Sequence, residues 1–534
     1  MKKITINVLF VLLTISATTP FAYSQETHNL ANPDERAKWP HWPLMVQEIP
    51  EDWPNKEEGP ADAAPSGLFA GVATADISPA YGIPLMMWGS AVHVESDGLD
   101  PSGMYARALV LSDGVQEFVM VDVDIVSIDR FDGLVERISF RTGIPEENIR
   151  LAASHTHASP GVNTSKGPPG IDLEAYEPLV QRHKNMMYDK ISGVVLSAQA
   201  ELRPVHMYGS HGTAAINVNR RYRGHDGTEA VGINPDGFVD QELVVFRIDD
   251  ASGEPYAVLF NYQAHPTIMA YANTKISPDY VGMARNTVEQ ALPGVTALFF
   301  QGAAGDQGPA EGFTGDLSVA HRLGQILGHE TTAIALGIET VHRNPKFEGY
   351  MESTAYQAKQ HWRVEGPRDQ TLRSVRRVIE VPGRKIAPEE MRQLEDQLSA
   401  ARDAAARYSE DDYSAAALQA RTRLRRYSDR YDLWQGFINR TEPVMVELRA
   451  LRIGELAIVS MPGEPFSKIG HAIKEASPFA FTMFAGYSSG VGRGYMPTAE
   501  EYDLGGYEVV GTRYGAGAAA EVIRVATEML NELR

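Results

Sequence analysis

Cysteine is absent from the 534-residue chain. Disulfide stapling is therefore excluded, and stability must come from buried apolar surface. Thiolates are also removed, both as nucleophiles and as metal ligands. Any metal has to be held by His, Asp, Glu or Tyr. Basic residues are scarce: 49 Lys and Arg stand against 69 Asp and Glu, a net charge of −20. Such an acidic chain is ill suited to nucleic acid or to anionic membrane surfaces. Long apolar runs are missing too. Val8 to Ala17 is too short to cross a bilayer as a helix, so no stable membrane insertion is expected. That run follows Lys2 and Lys3 and precedes Ala22-Tyr23-Ser24, the layout of an export signal over residues 1–24. Cleavage is expected near Gln25, giving a periplasmic or secreted protein. No cysteine is available there for a lipid anchor.

Hydrophobic residues make up 43% and charged residues 22% of the chain, an ordinary globular balance. Residues 25–66 are rich in Pro, Glu, Asp and Trp without any period, and read as an irregular leader. From Leu68 the texture changes. β-rich runs appear at 68–78, 104–112, 116–127, 149–154, 241–248, 256–263, 295–301, 443–450 and 454–460. Helical spacing occupies 173–201, 317–339 and 516–533. Strands mixed with helices predict an α/β (mixed α+β) catalytic domain over 67–534, its order too irregular for a plain doubly wound sheet. Residues 387–432 stand apart. Pro388 suits a first helical turn, and Met391, Leu394 and Leu398 follow at helical spacing. A second helical run from Tyr413 completes an inserted hairpin, read as structural or as a lid.

Five polar segments follow apolar runs or lie in Gly-rich turns. Ser154-His155-Thr156-His157 ends the run Ile149 to Ala153. In a strand, residues i and i+2 share a side, so both imidazoles can face one cavity. One could bind metal while the other handles a proton, or the two could simply be a hydrogen-bonded pair. His265 follows Ala257 to Phe260, where a lone histidine can equally be structural. Gly302 to Pro309 gives small residues that let backbone approach a ligand, or a tight turn. Glu464, in Met461-Pro462-Gly463-Glu464-Pro465, is a possible oxygen ligand. Gly494-Tyr495 and Gly506-Tyr507 are tyrosines in Gly-rich loops. Two histidines and one glutamate suffice for a catalytic zinc site with an open position, provided they converge.

In order, these motifs resemble the neutral/alkaline non-lysosomal ceramidase family, specifically its N-terminal catalytic domain, from about Leu68 to about Tyr514. Gly71 to Ser78 looks like the family's first strand, and Ser154 to Gly161 like its T-H-T-H-S-G-P-G signature. The resemblance implies zinc held by His155, His265, Glu464 and Tyr495. It implies a substrate-facing or catalytic role for His157, for Arg220 in Asn217-Val218-Asn219-Arg220, and for Tyr507. Two departures stand out. The family carries G-D-x-S-P-N with a catalytic serine, whereas this chain has Gly308 in Gly305-Asp306-Gln307-Gly308-Pro309-Ala310. Family members also commonly carry an immunoglobulin-like C-terminal domain; Arg534 lies just past the last motif, so none is expected.

The expected function is zinc-dependent hydrolysis of an amide or ester by an activated water, on a small-molecule, lipid or saccharide substrate altered from ceramide. The alternatives are a zinc-dependent lyase acting on an acidic saccharide, with Arg220 on the carboxylate, and a homologue that binds a ligand without turnover.

Overall fold

The computed structural model describes residues 67–85, 94–161, 173–225, 229–270, 273–409, 412, 414–438 and 440–534. The expected export signal and leader lie outside these residues.

The main body is built on eight strands: β1 (Phe69–Asp76), β2 (Tyr105–Ser112), β3 (Glu117–Val123), β4 (Ile149–Ala153), β5 (Arg203–Thr213), β6 (Glu242–Asp250), β7 (Pro255–Tyr262) and β8 (Thr296–Gln301). Their order across the sheet is β8-β7-β6-β5-β1-β2-β3-β4. Neighbours are antiparallel except at the two edges, where β3 with β4 and β7 with β8 run parallel. A second sheet holds β9 (Leu372–Val381), β10 (Val444–Ile453), β11 (Leu456–Ser460) and β12 (Phe481–Ala485) in sequence order, with β11 and β12 parallel.

Each parallel pair needs a crossover, and a helix supplies it. α1 (Leu134–Thr142) joins β3 to β4, α3 (Tyr280–Ala291) joins β7 to β8, and α7 (Ser467–Glu475) joins β11 to β12. Five further long helices pack on the body: α2 (Glu177–Ala200), α4 (Leu317–Leu336), the α5–α6 pair (Pro388–Ala405, Ala415–Gln435), and α8 (Ala518–Leu533) after all of these. The result is mixed α/β, as the strand and helix runs predict.

The sheets pack face to face, which explains why β2 is buried on both sides. Leu109 and Leu111 meet Ile453, Leu456, Ile458 and Met483 of the second sheet. Ala106, Ala108 and Val110 point the other way, towards Ile138 of α1 and Met187, Ile191 and Val195 of α2. Contact there is close: a Cβ on Gly71 would lie 1.9 Å from the Ala198 carbonyl oxygen of α2. α3 and α4 cover the β7–β8 side through Val281, Val288, Leu323 and Leu327, while α7 and α8 cover the second sheet. Burial on this scale, at roughly 25 cal/mol per Å2 of apolar surface, is what replaces the missing disulfides.

The helical hairpin sits in the β9-to-β10 connection. Glu390 accepts a hydrogen bond from the Ala387 N–H at 2.8 Å, and Ser414 caps α6 through the Ala417 N–H. Met391 and Leu394 pack with Trp434 and Phe437, and this cluster rests on Val510. The Trp434 indole donates to the Val510 carbonyl at 3.1 Å. A separate compact unit includes residues 345–362, within the pair of strands Val341–Glu352 and Tyr356–Pro367. It is stabilised internally by stacking of Tyr350 on Tyr356, 4.9 Å between ring centroids.

Candidate metal centre

The carboxyl ends of the parallel pairs carry the polar segments. β4 leads to His155 and His157, β7 to His265, β8 to Asp306, β11 to Glu464 and β12 to Tyr487. Backbone hydrogen bonds fasten these ends together across the two sheets. Ala153 N–H donates to the Tyr487 carbonyl at 3.1 Å, Gly486 N–H to Gln301 at 2.9 Å, Tyr487 N–H to Gly463 at 3.1 Å, and Gly305 N–H to Pro465 at 2.8 Å. Functional side chains on such connections are held by rigid strands behind them.

His155 and His157 share a cavity, but not through strand alternation. β4 ends at Ala153, and His155 adopts φ +71°, a left-handed conformation that is rare for a non-glycine residue. The turn folds the two rings edge to face, 4.9 Å apart. His155 Nδ1 lies 2.5 Å from the Val126 carbonyl oxygen, and His265 Nδ1 lies 2.9 Å from that of Ala304. A carbonyl can only accept, so both Nδ1 atoms carry a proton, and in the neutral form of either ring Nε2 is the lone pair available to a metal.

Those nitrogens face one another. His155 Nε2 is 3.0 Å from His265 Nε2 and 3.3 Å from His157 Nε2. Glu464 Oε2 lies 3.3 Å from His155 Nε2 and 3.4 Å from His265 Nε2, and among the described residues it forms no well-aligned hydrogen bond. Burial, reinforced by Arg220 and His155, pushes His265 down to about 3. Burial, then the His155 and His265 rings, hold His157 well below the ordinary imidazole range. Three imidazole Nε2 atoms and a carboxylate turned towards a common point form a set of ligand atoms. That donor set suits a zinc-type cation, and the three histidines are grouped closely enough to hold one.

Tyr495 lies beside this set. Its Glu464–Pro465 neighbour pairs with Tyr495–Met496 as a short parallel ladder, and its ring stacks near that of His265, 6.4 Å between centroids. Its hydroxyl is bonded by Arg220 Nη2 at 3.1 Å. Arg220 is fully buried. Its Nε bonds Glu508 at 3.0 Å, and Glu508 also binds Arg221 Nη1 at 2.9 Å. Burial opposes the Arg220 charge, but Tyr495, Glu508 and Glu464 more than offset it and raise the guanidinium above its usual range. Tyr507 is half-exposed, with its ring 5.6 Å from that of Tyr495. Burial of the phenol, then the Glu464 charge, raises Tyr507 and keeps it protonated.

All seven sequence-predicted residues therefore gather around one cleft of about 1090 Å3, lined by His155, His157, Glu464, Tyr487, Tyr495 and Tyr507 among others. Three contributors are new. Tyr487 lies over His155 with ring centroids 4.4 Å apart, and its buried hydroxyl has no partner among the described residues. Glu508 pins Arg220. Asp306 accepts Ser467 N–H at 2.7 Å and Ser467 Oγ at 2.9 Å, and its carbonyl receives the Arg220 N–H at 2.8 Å. Gly308 pairs with Val218 in a short ladder, and a Cβ there would stand 3.1 Å from Arg220 Cβ. A side chain at 308 would thus press on the Arg220 stem.

Residues 69–320 match the family description "Neutral/alkaline non-lysosomal ceramidase, N-terminal". The match covers a little under half of the chain. The neutral ceramidase of Pseudomonas aeruginosa is 29% identical over 250 residues, which are 45% of this chain and 36% of that protein. Neutral ceramidase A of Dictyostelium discoideum is 28% identical over 174 residues, 30% of this chain and 24% of that one. The matched stretch thus spans about a third or less of these ceramidases. The crystal structure of the Pseudomonas neutral ceramidase superimposes with a TM-score of 0.59 at 20% identity, covering 89% of this chain and 75% of that one. The fold is shared well beyond the segment matched in sequence. Among the described residues no helix is long and apolar enough to cross a membrane.

Proposed function

We propose that this chain is an exported, zinc-dependent hydrolase that cleaves an amide bond, related to ceramidases but directed to a different substrate. The observation that carries this reading is the convergence of the His155 and His265 Nε2 atoms and the Glu464 carboxylate on one point of the cleft. His155, His265 and Glu464 would hold the ion, with Tyr495 beside them. When bound, zinc supplies Lewis-acid polarisation and an activated water at neutral pH.

The remaining work falls to groups of the chain itself. His157, kept neutral by its surroundings, can accept a proton from the attacking water and pass it to the leaving nitrogen. Arg220 fixes the Tyr495 hydroxyl and supplies a permanent positive charge where an oxyanion would develop. Tyr507 and Tyr487 offer protonated phenols on the cleft wall. None of these steps calls for a serine, so Gly308 is compatible with hydrolysis while reshaping the space beside Arg220. The family match over residues 69–320 supports the reaction class.

The test combines metal analysis with product analysis on N-acyl lipids, N-acyl sugars and uronic-acid oligosaccharides. About one zinc per chain and release of a free acid from an N-acyl compound are expected. A product absorbing in the ultraviolet would instead indicate elimination and favour a lyase. Metal-free protein after gentle purification, unable to take up zinc, would remove both readings.

A further inference from the structure

The cleft that holds the histidine cluster also carries three arginines without close carboxylate partners. Arg440, Arg493 and Arg513 all line it; among the described residues none of the three guanidiniums forms a close ion pair, and the nearby Glu442 and Asp129 act on Arg440 and Arg513 only at longer range. This is unusual in a chain with twenty more acids than bases. Two other arginines of the same cleft are matched: Arg376 and Arg449 both bind Glu447, at 2.9 and 2.6 Å.

Their grouping is built by the fold. Tyr514 is fully buried, and its hydroxyl accepts the Arg493 N–H at 3.0 Å, while Arg513 precedes it in sequence. Gly383 bridges to Tyr514, and the Arg440 Nε atom lies 3.4 Å from where a Gly383 Cβ would stand. Arg440 itself follows the α5–α6 hairpin, whose Phe437 ring lies 5.7 Å beneath its guanidinium. The Arg493 loop is in turn tied to the metal centre, because Glu464 N–H donates to the Gly494 carbonyl at 3.0 Å. Burial, then the charge of Arg493, and less strongly that of Arg440, push the Arg513 guanidinium down. Asp129 pulls the other way more weakly than either arginine pushes. Like charges held together at a cleft wall raise the free energy of the empty site and lower that of a bound anion.

We propose that Arg440, Arg493 and Arg513 form an anion-recognition subsite, so that the substrate is an amide bearing a carboxylate or a sulfate-like group. The planar guanidinium fork matches both groups. An uncharged ceramide-like amide leaves this cluster uncompensated. The proposal rests on the hydrolase reading of the neighbouring centre, and it gives the α5–α6 hairpin a role: to bring Arg440 to the cleft.

The experiment uses the full chain loaded with zinc and three amides of one acyl length: N-octanoyl taurine (sulfonate), N-octanoyl-β-alanine (carboxylate) and N-octanoyl ethanolamine (neutral). Binding is measured by calorimetry and cleavage by release of octanoate. The anionic amides should bind roughly tenfold or more tightly than the neutral one, as expected for charge-assisted hydrogen bonds. That preference should collapse in Arg493→Gln/Arg513→Gln and return in Arg493→Lys/Arg513→Lys. Preference for only one of the two anions would identify which group the site takes. Equal affinity for all three amides, or a preference that survives the glutamine pair, overturns the subsite. Arginine-dependent binding without cleavage of any amide keeps the subsite and defeats the amide-hydrolase reading. If the glutamine pair does not fold, Arg440→Gln carries the same comparison.

Discussion

Two buried polar clusters in the main body differ in one respect. In the core, Arg285 donates to Asp122 at 2.6 Å and to Asp124 at 2.5 Å, beneath α3 and between strands. In the cleft, His155, His157, His265 and Glu464 lie as close together but turn three imidazole nitrogens and a carboxylate oxygen, all able to ligate a metal, towards one another. In the first cluster a cation already sits among its anions, although Arg285 Nε finds no partner among the described residues. The second is a set of ligand atoms around which a metal cation would fit. Burial by itself therefore says little about function, since both clusters are buried; the groups brought together separate them.

The sharpest way to break this comparison is to remove one member from each cluster. His155→Ala should abolish stoichiometric zinc binding and, with it, hydrolytic activity, while costing the metal-free fold little. Metal analysis together with product assays checks both. Arg285→Met should do the reverse. Activity of the surviving folded fraction should persist, but the buried Asp122 and Asp124 lose their counter-ion at a cost of about 3–5 kcal/mol, read from urea denaturation. If His155→Ala destabilised the metal-free protein as much as Arg285→Met, the distinction between an ion-paired and a metal-binding cluster would fail. A third expectation follows from mass action. Zinc at a hundredfold excess over its Kd should stabilise the wild-type fold by about 2.7 kcal/mol and leave His155→Ala unmoved, as thermal melts with and without zinc would reveal.

Much of this architecture was legible because sequence pattern and packing agree. β2, β3, β4, β6, β7 and β8 are continuous apolar runs, as expected of strands buried on both faces. His155, His265 and Glu464 could be singled out because each closes such a run. β5 escaped notice, since Arg203-Pro204 and two glycines break its pattern. The structure explains the glycines: Cβ atoms at Gly209 and Gly212 would stand 2.6 Å from the Phe246 ring and 2.7 Å from Ile334. β12 was missed as a short run, and Tyr487 was missed with it, although Phe481 to Ala485 followed by Gly486-Tyr487-Ser488 is the same strand-then-turn signal. The shared orientation of His155 and His157 was expected from strand alternation but arises from a left-handed turn, which a pattern of residue types does not encode. Glu508 and Asp306 act through partners more than 80 residues away, Arg220 and Ser467. Such pairings depend on tertiary contact alone.

A lone histidine gives the finest test of what burial does without a neighbouring ligand set. His183 lies on α2, buried, with neither ring nitrogen hydrogen-bonded among the described residues. Burial, with a smaller push from Lys190, lowers it from 6.5 to about 4. The folded state thus binds this proton less readily than the unfolded state. Between those two values the unfolded chain holds more protons, so stability is complete above about pH 6.5 and falls as the pH drops towards 4. His183→Leu keeps the apolar contacts of the site and removes the titration, so the wild type should lose roughly 1–3 kcal/mol more than the variant over that window. Denaturant curves at pH 7, 5.5 and 4 measure the difference. Parallel pH profiles for the two proteins would mean that the His183 ring is solvated in the folded state. A gap opening only below pH 6.5 would show burial alone lowering an imidazole, with no metal-binding consequence, and would leave convergence with Glu464 as the feature that makes the cleft histidines a site.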